Sequence, residues 1–292
     1  MSALEEVQRA AADAADRVGP SVVAVGRGAG VVVAAGRVLT NAHNLVGPSV
    51  PVRFADGSTV AAEVTATDVD GDLAVVSVDT GDLEPIEIRD AEVALGSAVL
   101  ALGAPRRGPG RVTVGFVSST VSPFRGPRGR RLTGIEHTAP LGRGSSGGPV
   151  LELGGAVIGI NTHRRGDGFY LALPATADLR ERIGRLAGGE SPRRRRLGVA
   201  LAPADVARRL RAAVGLPERD GLLVREVDEG SAAERAGVRE GDLLVTADGA
   251  ALSDPDDLAD RLERGGERLV LALVRGVEEV EVTVTFEADR GA

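Results

Sequence analysis

HTAPLGRGSSGGPVLELGGAVIGINT, residues 137–162, sets two serines in a glycine-rich turn and follows them at once with apolar, strand-like runs. The turn itself, GRGSSGGP at 142–149, has enough glycine to take left-handed backbone conformations and to let another chain approach closely. A serine nucleophile needs such a bend, because its hydroxyl must stand clear while neighbouring amide N–H groups aim at one point. Ser146 is the candidate nucleophile. Gly144, Ser145 and Ser146 frame the candidate oxyanion site, with the N–H groups of Gly144 and Ser146 as donors and Ser145 between them. The competing reading is a flexible Gly/Ser linker; the strand pattern that begins at Pro149 argues against it.

Working outward, residues 21–174 carry short Val-rich runs such as SVVAVGRG, GVVVAAGRVLT, LAVVSVD and SAVLALG, broken by Gly, Pro, Asn and Asp. Strands this short and frequent, with no helical pattern between them, predict an antiparallel barrel or sandwich. One run ends in Leu39-Thr40-Asn41-Ala42-His43, and Asp70-Gly71-Asp72 stands just before another. Alone, His43 reads as a surface histidine and Asp72 as a turn residue. With Ser146 they complete the set for hydrolytic catalysis: a nucleophile, a general base and a carboxylate to orient the base. The chain order His, Asp, Ser is that of the chymotrypsin-like enzymes and differs from the subtilisin and α/β-hydrolase orders.

On these motifs the chain resembles the HtrA/Deg serine proteases over nearly its whole length. GAGVVVAAGRVLTNAHNLVG is similar to the family's histidine segment, GDLAVVSVD to its aspartate segment and HTAPLGRGSSGGPV with AVIGINT to its nucleophile segment. The resemblance implies a triad of His43, Asp72 and Ser146, with Asp72 preferred to Asp68 and Asp70. It also implies a mainly β fold, a chymotrypsin-like double β-barrel followed by an α+β PDZ domain. Two departures stand out. Ser145 occupies a position that is usually Asn, and Pro140-Leu141-Gly142-Arg143 differs from the family's wording in the region that shapes the primary specificity pocket.

Beyond the barrel pattern, residues 2–18 read as an amphipathic helix with Leu4, Val7, Ala11, Ala14 and Val18 on one face, and residues 175–186 as another. AGGESPRRRR at 187–196 is a composition break and reads as a solvated linker, giving a protease domain at 1–186 and a second domain at 197–292. Helices near 203–213, 231–236 and 255–264 alternate there with strands near 222–227, 243–247, 268–275 and 278–286. Leu197-Gly198-Val199, GLLVREV and GSAAERAGVREGDLLVTADG resemble a PDZ domain. The resemblance implies that Leu197, Gly198 and Val199 form a carboxylate-gripping loop, so that a peptide C-terminus adds as a strand beside the domain's edge. The family's usual Tyr ahead of that loop is Arg196 here.

Composition narrows the alternatives. The net charge of −7 argues against nucleic acid as the main partner, and the absence of Cys excludes disulfides and thiolate metal sites. Three histidines, His43, His137 and His163, lack metal-ligand spacing, so no metal and no organic cofactor is expected, and His137 and His163 read as cleft-wall or surface residues. Arg125, Arg128, Arg130 and Arg131 fall in a Gly/Pro-rich loop at 123–134 that reads as solvated. Glu5, Glu6, Asp13 and Asp16 interrupt any export-signal core near the start, and no run reaches the roughly 18 apolar residues that span a bilayer. The chain as written therefore reads as cytoplasmic, although one trimmed of a leader would read the same. The expected activity is endopeptidase cleavage of unfolded or misfolded polypeptide, with peptide C-termini as PDZ ligands and a homotrimer by resemblance. The alternative is a catalytically silent peptide-binding scaffold or chaperone.

Overall fold

The computed structural model describes residues 2–90, 93–104, 110–127, 129–192, 195–264 and 266–286. Arg128, two arginines of the linker (Arg193 and Arg194) and the residues after Phe286 lie outside the described residues. The chain separates into two compact units, Met1–Pro192 and Arg193–Ala292.

The first unit holds two closed barrels. β1 (Val22–Val25), β2 (Gly28–Ala34), β3 (Arg37–Thr40), β4 (Ser49–Arg53), β5 (Thr59–Asp68) and β6 (Leu73–Ser77) close in the order β1-β2-β3-β6-β5-β4. β7 (Ala98–Gly103), β8 (Arg111–Arg125), β9 (Arg131–His137), β10 (Pro149–Glu152), β11 (Val157–Gly166) and β12 (Phe169–Pro174) close as β10-β11-β12-β9-β8-β7. Each strand number of the first order raised by six gives the second read from its other end, so the barrels share one pattern of strand neighbours. Closure removes every free sheet edge in both.

Near-continuous apolar runs such as GVVVA and RVLT have a physical reason, since both faces of these strands are buried. Val32, Val38 and Val76 share one face and pack with Val23, Val25, Val50 and Val52. Val31, Leu39 and Val75, one residue along, join a larger cluster with Leu100, Leu102, Leu151 and Ile160 of the second barrel. The period-two alternation of a strand thus fills the first barrel with one set of residues and packs it against the second with the other. Valine suits this role, being compact and β-branched.

Two helices complete the unit. α1 (Ala3–Arg17) starts at a capping box in which Ser2 and Glu5 exchange backbone-to-side-chain bonds. Its small residues Ala10 and Ala14 enter the shared core, whereas Leu4, expected on the buried face, is exposed. The helix lies down on its alanines, and its first turn runs past the surface that they cover. α2 (Ala177–Ala187) buries Leu179, Ile183 and Leu186 in the same core. The chain just after it stays attached to this unit, since the Ser191 hydroxyl accepts from the Thr67 N–H. The loop expected at 123–134 is largely a hairpin, because β8 and β9 remain paired out to Arg125 and Arg131.

The second unit is a sheet in the order β13-β14-β15-β17-β18 with β16 beside β15. Its elements are β13 (Val199–Ala202), α3 (Ala204–Ala213), β14 (Leu222–Val227), α4 (Ala232–Arg235), β15 (Leu243–Ala247), β16 (Ala250–Ala251), α5 (Pro255–Arg264), β17 (Arg268–Arg275) and β18 (Glu278–Thr285). Asp248 and Gly249, both at positive φ, form the tight turn between β15 and β16 that the Asp-Gly pair predicts. Asp254 caps α5 by accepting from the Asp256 N–H, and Asp257 reaches back to the Asp254 N–H. Among the described residues β13 is an edge strand, paired only with β14.

Candidate active site

His43 stands in a short turn of helix, Ala42–Asn44, immediately after β3, and Asp72 stands in the bend between β5 and β6. β3 and β6 are neighbours, with Thr40 opposite Ala74, so two residues 29 positions apart in sequence come together at one end of the first barrel. The His43 Nδ1–H faces both Asp72 oxygens at 2.9 Å, and the His43 backbone N–H donates to Asp72 Oδ1 at 3.2 Å. The Asp72 side chain is completely buried, while that of His43 keeps 30% of its surface exposed. Asp72 adopts φ +55°, a left-handed conformation that aspartate tolerates better than most residues. Its carbonyl accepts from Asn41 Nδ2 at 2.8 Å.

The other two carboxylates of that segment point elsewhere or lie less deep. Asp68 is buried against Arg182 of α2 and accepts from the Gly71 N–H at 2.9 Å. Gly71 permits this packing, for a Cβ there would overlap the Arg182 guanidinium. Asp70 is only partly buried.

Ser146 lies in the turn that leads into β10. Its backbone is held from the first barrel, with the carbonyl accepting from the Ala29 N–H at 2.7 Å and from Asn44 Nδ2 at 2.9 Å. Gly147 has φ +95°, and a Cβ there would sit 2.0 Å from the Ala29 carbonyl oxygen, so close contact between the barrels requires glycine. On the other side of the turn Gly144 is at φ +83°, and Ser145 Oγ donates to the Gly142 carbonyl at 3.0 Å. The amide N–H groups of Gly144 and Ser146 donate to no acceptor among the described residues.

The Ser146 hydroxyl does not take the partner expected of it. It donates to the Thr162 carbonyl at 2.5 Å, and among the described residues no hydrogen bond joins it to the His43 imidazole. A hydroxyl on a single rotatable bond takes the best acceptor within reach, here a backbone carbonyl. Rotation about χ1 redirects it without moving the backbone.

Thr162, which the sequence reading quoted only as part of AVIGINT, links the elements. Its Oγ1–H donates to Asp72 Oδ2 at 2.6 Å. That uses the only hydroxyl proton, so the 2.7 Å contact between Thr162 Oγ1 and His163 Nδ1 runs from the imidazole N–H to the hydroxyl oxygen. His163 therefore carries its proton on Nδ1, as His43 does. The two rings lie 5.1 Å apart, and Phe124 backs His163 at 5.4 Å. Burial holds the His163 imidazole below its ordinary range, and the Asp72 carboxylate opposes that shift.

Of the cleft-wall or surface position expected for His137, the structure excludes the surface one, because the residue is fully buried, stacked with Tyr170 and with Nε2 2.9 Å from Asn161 Oδ1. Burial lowers its pKa, with the Asn161 bond and Glu136 opposing. Asn161 in turn accepts the Gly147 N–H through its carbonyl and donates to the Gly148 carbonyl, bracing the turn from behind. Asn44, Asn161 and Thr162 all escaped the sequence reading. The only local signal was their adjacency to His43 or to the AVIGINT strand.

In the second unit, Gly198 has φ +78° and would clash with Ser231 if it carried a Cβ. The carbonyls of Leu197 and Gly198 accept from Ala233 and Asp228, whereas their N–H groups donate to no acceptor among the described residues. Leu197 is buried in the core and Val199 begins the edge strand β13.

Comparisons with known proteins agree with this architecture. A family model described as trypsin-like peptidase domain matches residues 28–160, and one described as PDZ domain matches residues 223–275. The putative serine protease HhoA of Synechocystis sp. is 34% identical over 275 residues, covering 89% of this chain and 70% of that protein. The putative serine protease HhoB of the same organism is 33% identical over 266 residues, covering 86% and 64%. The chain thus spans about two thirds of the length of these relatives. The solved structure "HtrA-type protease AlgW with decapeptide" superposes with a TM-score of 0.78 over 94% of this chain and 97% of that one, a likeness of fold at 24% identity.

Proposed function

The chain belongs to the HtrA family of serine proteases, and from that premise we propose that it cleaves unfolded or misfolded polypeptide through His43, Asp72 and Ser146. The observation that carries the reading is the convergence of the three on Thr162 and its neighbours, with a buried carboxylate fixing the His43 tautomer.

In this mechanism Nε2 of His43 is left with a lone pair, since Nδ1 donates to Asp72. The mechanism requires Ser146 Oγ to leave the Thr162 carbonyl and donate to that lone pair. Oγ then attacks the scissile carbonyl carbon as its proton passes to His43 Nε2, and Asp72 stabilises the resulting imidazolium. Charge developing on the substrate oxygen is met by the N–H groups of Gly144 and Ser146, with Ser145 holding the turn through its bond to Gly142. Collapse breaks the C–N bond, His43 returns the proton to the departing amine, and water later hydrolyses the acyl-enzyme by the same route. Leu197, Gly198 and Val199 take a peptide's terminal carboxylate on their N–H groups, and the peptide lies beside β13.

A fluorophosphonate probe tests this directly. Labelling of the wild type that vanishes in Ser146→Ala, together with cleavage of unfolded casein, is the expected result. Peptide binding with neither labelling nor cleavage would overturn it in favour of a silent scaffold.

A further inference from the structure

The two barrels are alike in strand pairing and unlike in charge. Between Ala98 and Pro174 ten arginines stand against three acidic residues, and between Val22 and Ser77 three stand against five. In the second barrel Arg165 is paired with one oxygen of Glu136, whose other oxygen accepts from the Ser118 hydroxyl. The guanidinium groups of Arg111, Arg143 and Arg164 are exposed and make no hydrogen bond or ion pair among the described residues.

These three cations share one neighbourhood. Arg143 belongs to the nucleophile turn, one residue before Gly144. Arg111 opens β8 opposite Gly103, where a Cβ would lie 3.1 Å from Ser145 Oγ. Its guanidinium reaches the same turn, for Nη1 lies 3.7 Å from the Cβ position of Gly142. Arg164 comes two residues after Thr162, whose carbonyl holds the Ser146 hydroxyl. Its guanidinium lies 5.7 Å from the centre of the Tyr170 ring, a contact that orients the group without neutralising it. Asp72 is fully buried and already bonded to His43 and Thr162, so it is not available to pair with them.

A polypeptide bound for cleavage sets its scissile carbonyl oxygen on the N–H groups of Gly144 and Ser146 and its carbonyl carbon at Ser146 Oγ. Two residues of chain span at most about 7 Å, so Gly142 and Arg164 lie within that distance of Gly144 and Thr162. Unpaired guanidinium groups therefore flank the nucleophile from both backbone segments that border it. Arginine matches a carboxylate through a planar fork of donors, and a cleft lined by one sign of charge selects the other.

We propose that Arg111, Arg143 and Arg164 make the peptidase selective for polypeptides with Asp or Glu as the residue that supplies the scissile carbonyl. The selectivity rests on Ser146 being the nucleophile.

Peptides of one sequence that differ only at that residue, as Glu, Gln, Val or Arg, measure the preference, with the cut bond located by mass spectrometry. Glu and Gln have nearly the same shape, so the ratio of their kcat/KM values isolates charge and cancels any general change in a variant's activity. The wild type should favour Glu over Gln by at least about tenfold and cleave the Arg peptide slowest, and the ratio should shrink as salt rises from about 0.05 to about 0.5 M. Arg111→Gln, Arg143→Gln and Arg164→Gln should each lower the ratio about two- to fivefold, and the triple variant should bring it close to one. Peptidyl phosphonates with Glu or Gln beside the phosphorus read the same ratio from covalent labelling of Ser146, without turnover. A wild-type ratio close to one, or a ratio undiminished in the triple variant, overturns the proposal and leaves the proposed function standing. A wild type that neither phosphonate nor a simple fluorophosphonate labels, and that cuts no peptide, would refute the proposed function and this selectivity with it.

Discussion

The His43–Asp72 corner of the first barrel and the Ser146 turn of the second are secured in opposite ways. At the corner the side chains themselves are locked, because Asp72 is fully buried and its carboxylate accepts from the imidazole, a backbone N–H and the Thr162 hydroxyl. At the turn the backbone is locked through the Ser146 carbonyl, while the hydroxyl hangs on a free torsion and rests on Thr162. The corner is thus organised in advance for its chemistry, and the turn is organised in position but not in aim. In the proposed mechanism, proton acceptance by His43 demands a fixed tautomer and orientation, whereas Ser146 as nucleophile must swing from its resting acceptor to the base. Both barrels use one strand order, so this division arises from what stands in their loops and not from topology.

Substitutions at the two sides test the contrast. Replacing Ser146 or His43 by Ala is expected to cost roughly 10⁶ in kcat, the scale seen when a comparable triad loses either member. Asp72→Asn should cost roughly 10⁴ with the protein still folded, because it disturbs the tautomer of His43 and not the nucleophile. A loss of tenfold or less in casein cleavage would mean that the corner does not orient the base. Next in size is the glycine contrast. Gly147→Ala should lower unfolding free energy by at least about 2 kcal/mol through positive-φ strain and the contact with Ala29, measured by urea denaturation. Gly155→Ala, at φ +90° but with open space around its Cβ position, should cost only about 1 kcal/mol.

Smaller effects separate clamp from relay. Asn44→Ala removes one of two donors to the Ser146 carbonyl and should cost about 1–3 kcal/mol of stability while slowing fluorophosphonate labelling. Stable protein with unchanged labelling would show that Ala29 holds the turn alone. The smallest effect concerns His137. Its pKa is lowered in the fold from a value of 6.5, so the unfolded chain binds the proton first as pH falls. Its contribution to stability is complete above pH 6.5 and is lost as pH drops below that value toward the folded pKa. Denaturation curves across that window should be flatter for His137→Gln than for the wild type.

Much of this was legible in the residues. GRGSSGGPV announced a turn entering a strand, and the turn has positive φ at Gly144 and Gly147 followed by β10. Asp248-Gly249 announced a hairpin turn, and Ser253 or Asp254 before Pro255 a capped helix, of which Asp254 supplies the cap, since turn and cap chemistry acts within a few residues. The burial of His137 was not legible, because its neighbours Tyr170 and Asn161 arrive from β12 and β11. Nor was the exposure of Leu4, whose periodicity matched a buried face that the helix docks only in part.

What the sequence determined by itself was local: strand periodicity, turn chemistry, and the residue types and order that a hydrolytic site requires. What only the tertiary structure decided was which of those residues share a hydrogen bond. Asn44 clamps Ser146, Thr162 joins Asp72 to His163, and the Ser146 hydroxyl turns to a backbone carbonyl. These contacts span up to 102 residues of sequence and form where two separately closed barrels press together. Side-chain hydrogen bonds act over about 3 Å, so chain positions this distant carry no mark of the pairing until packing brings them into range.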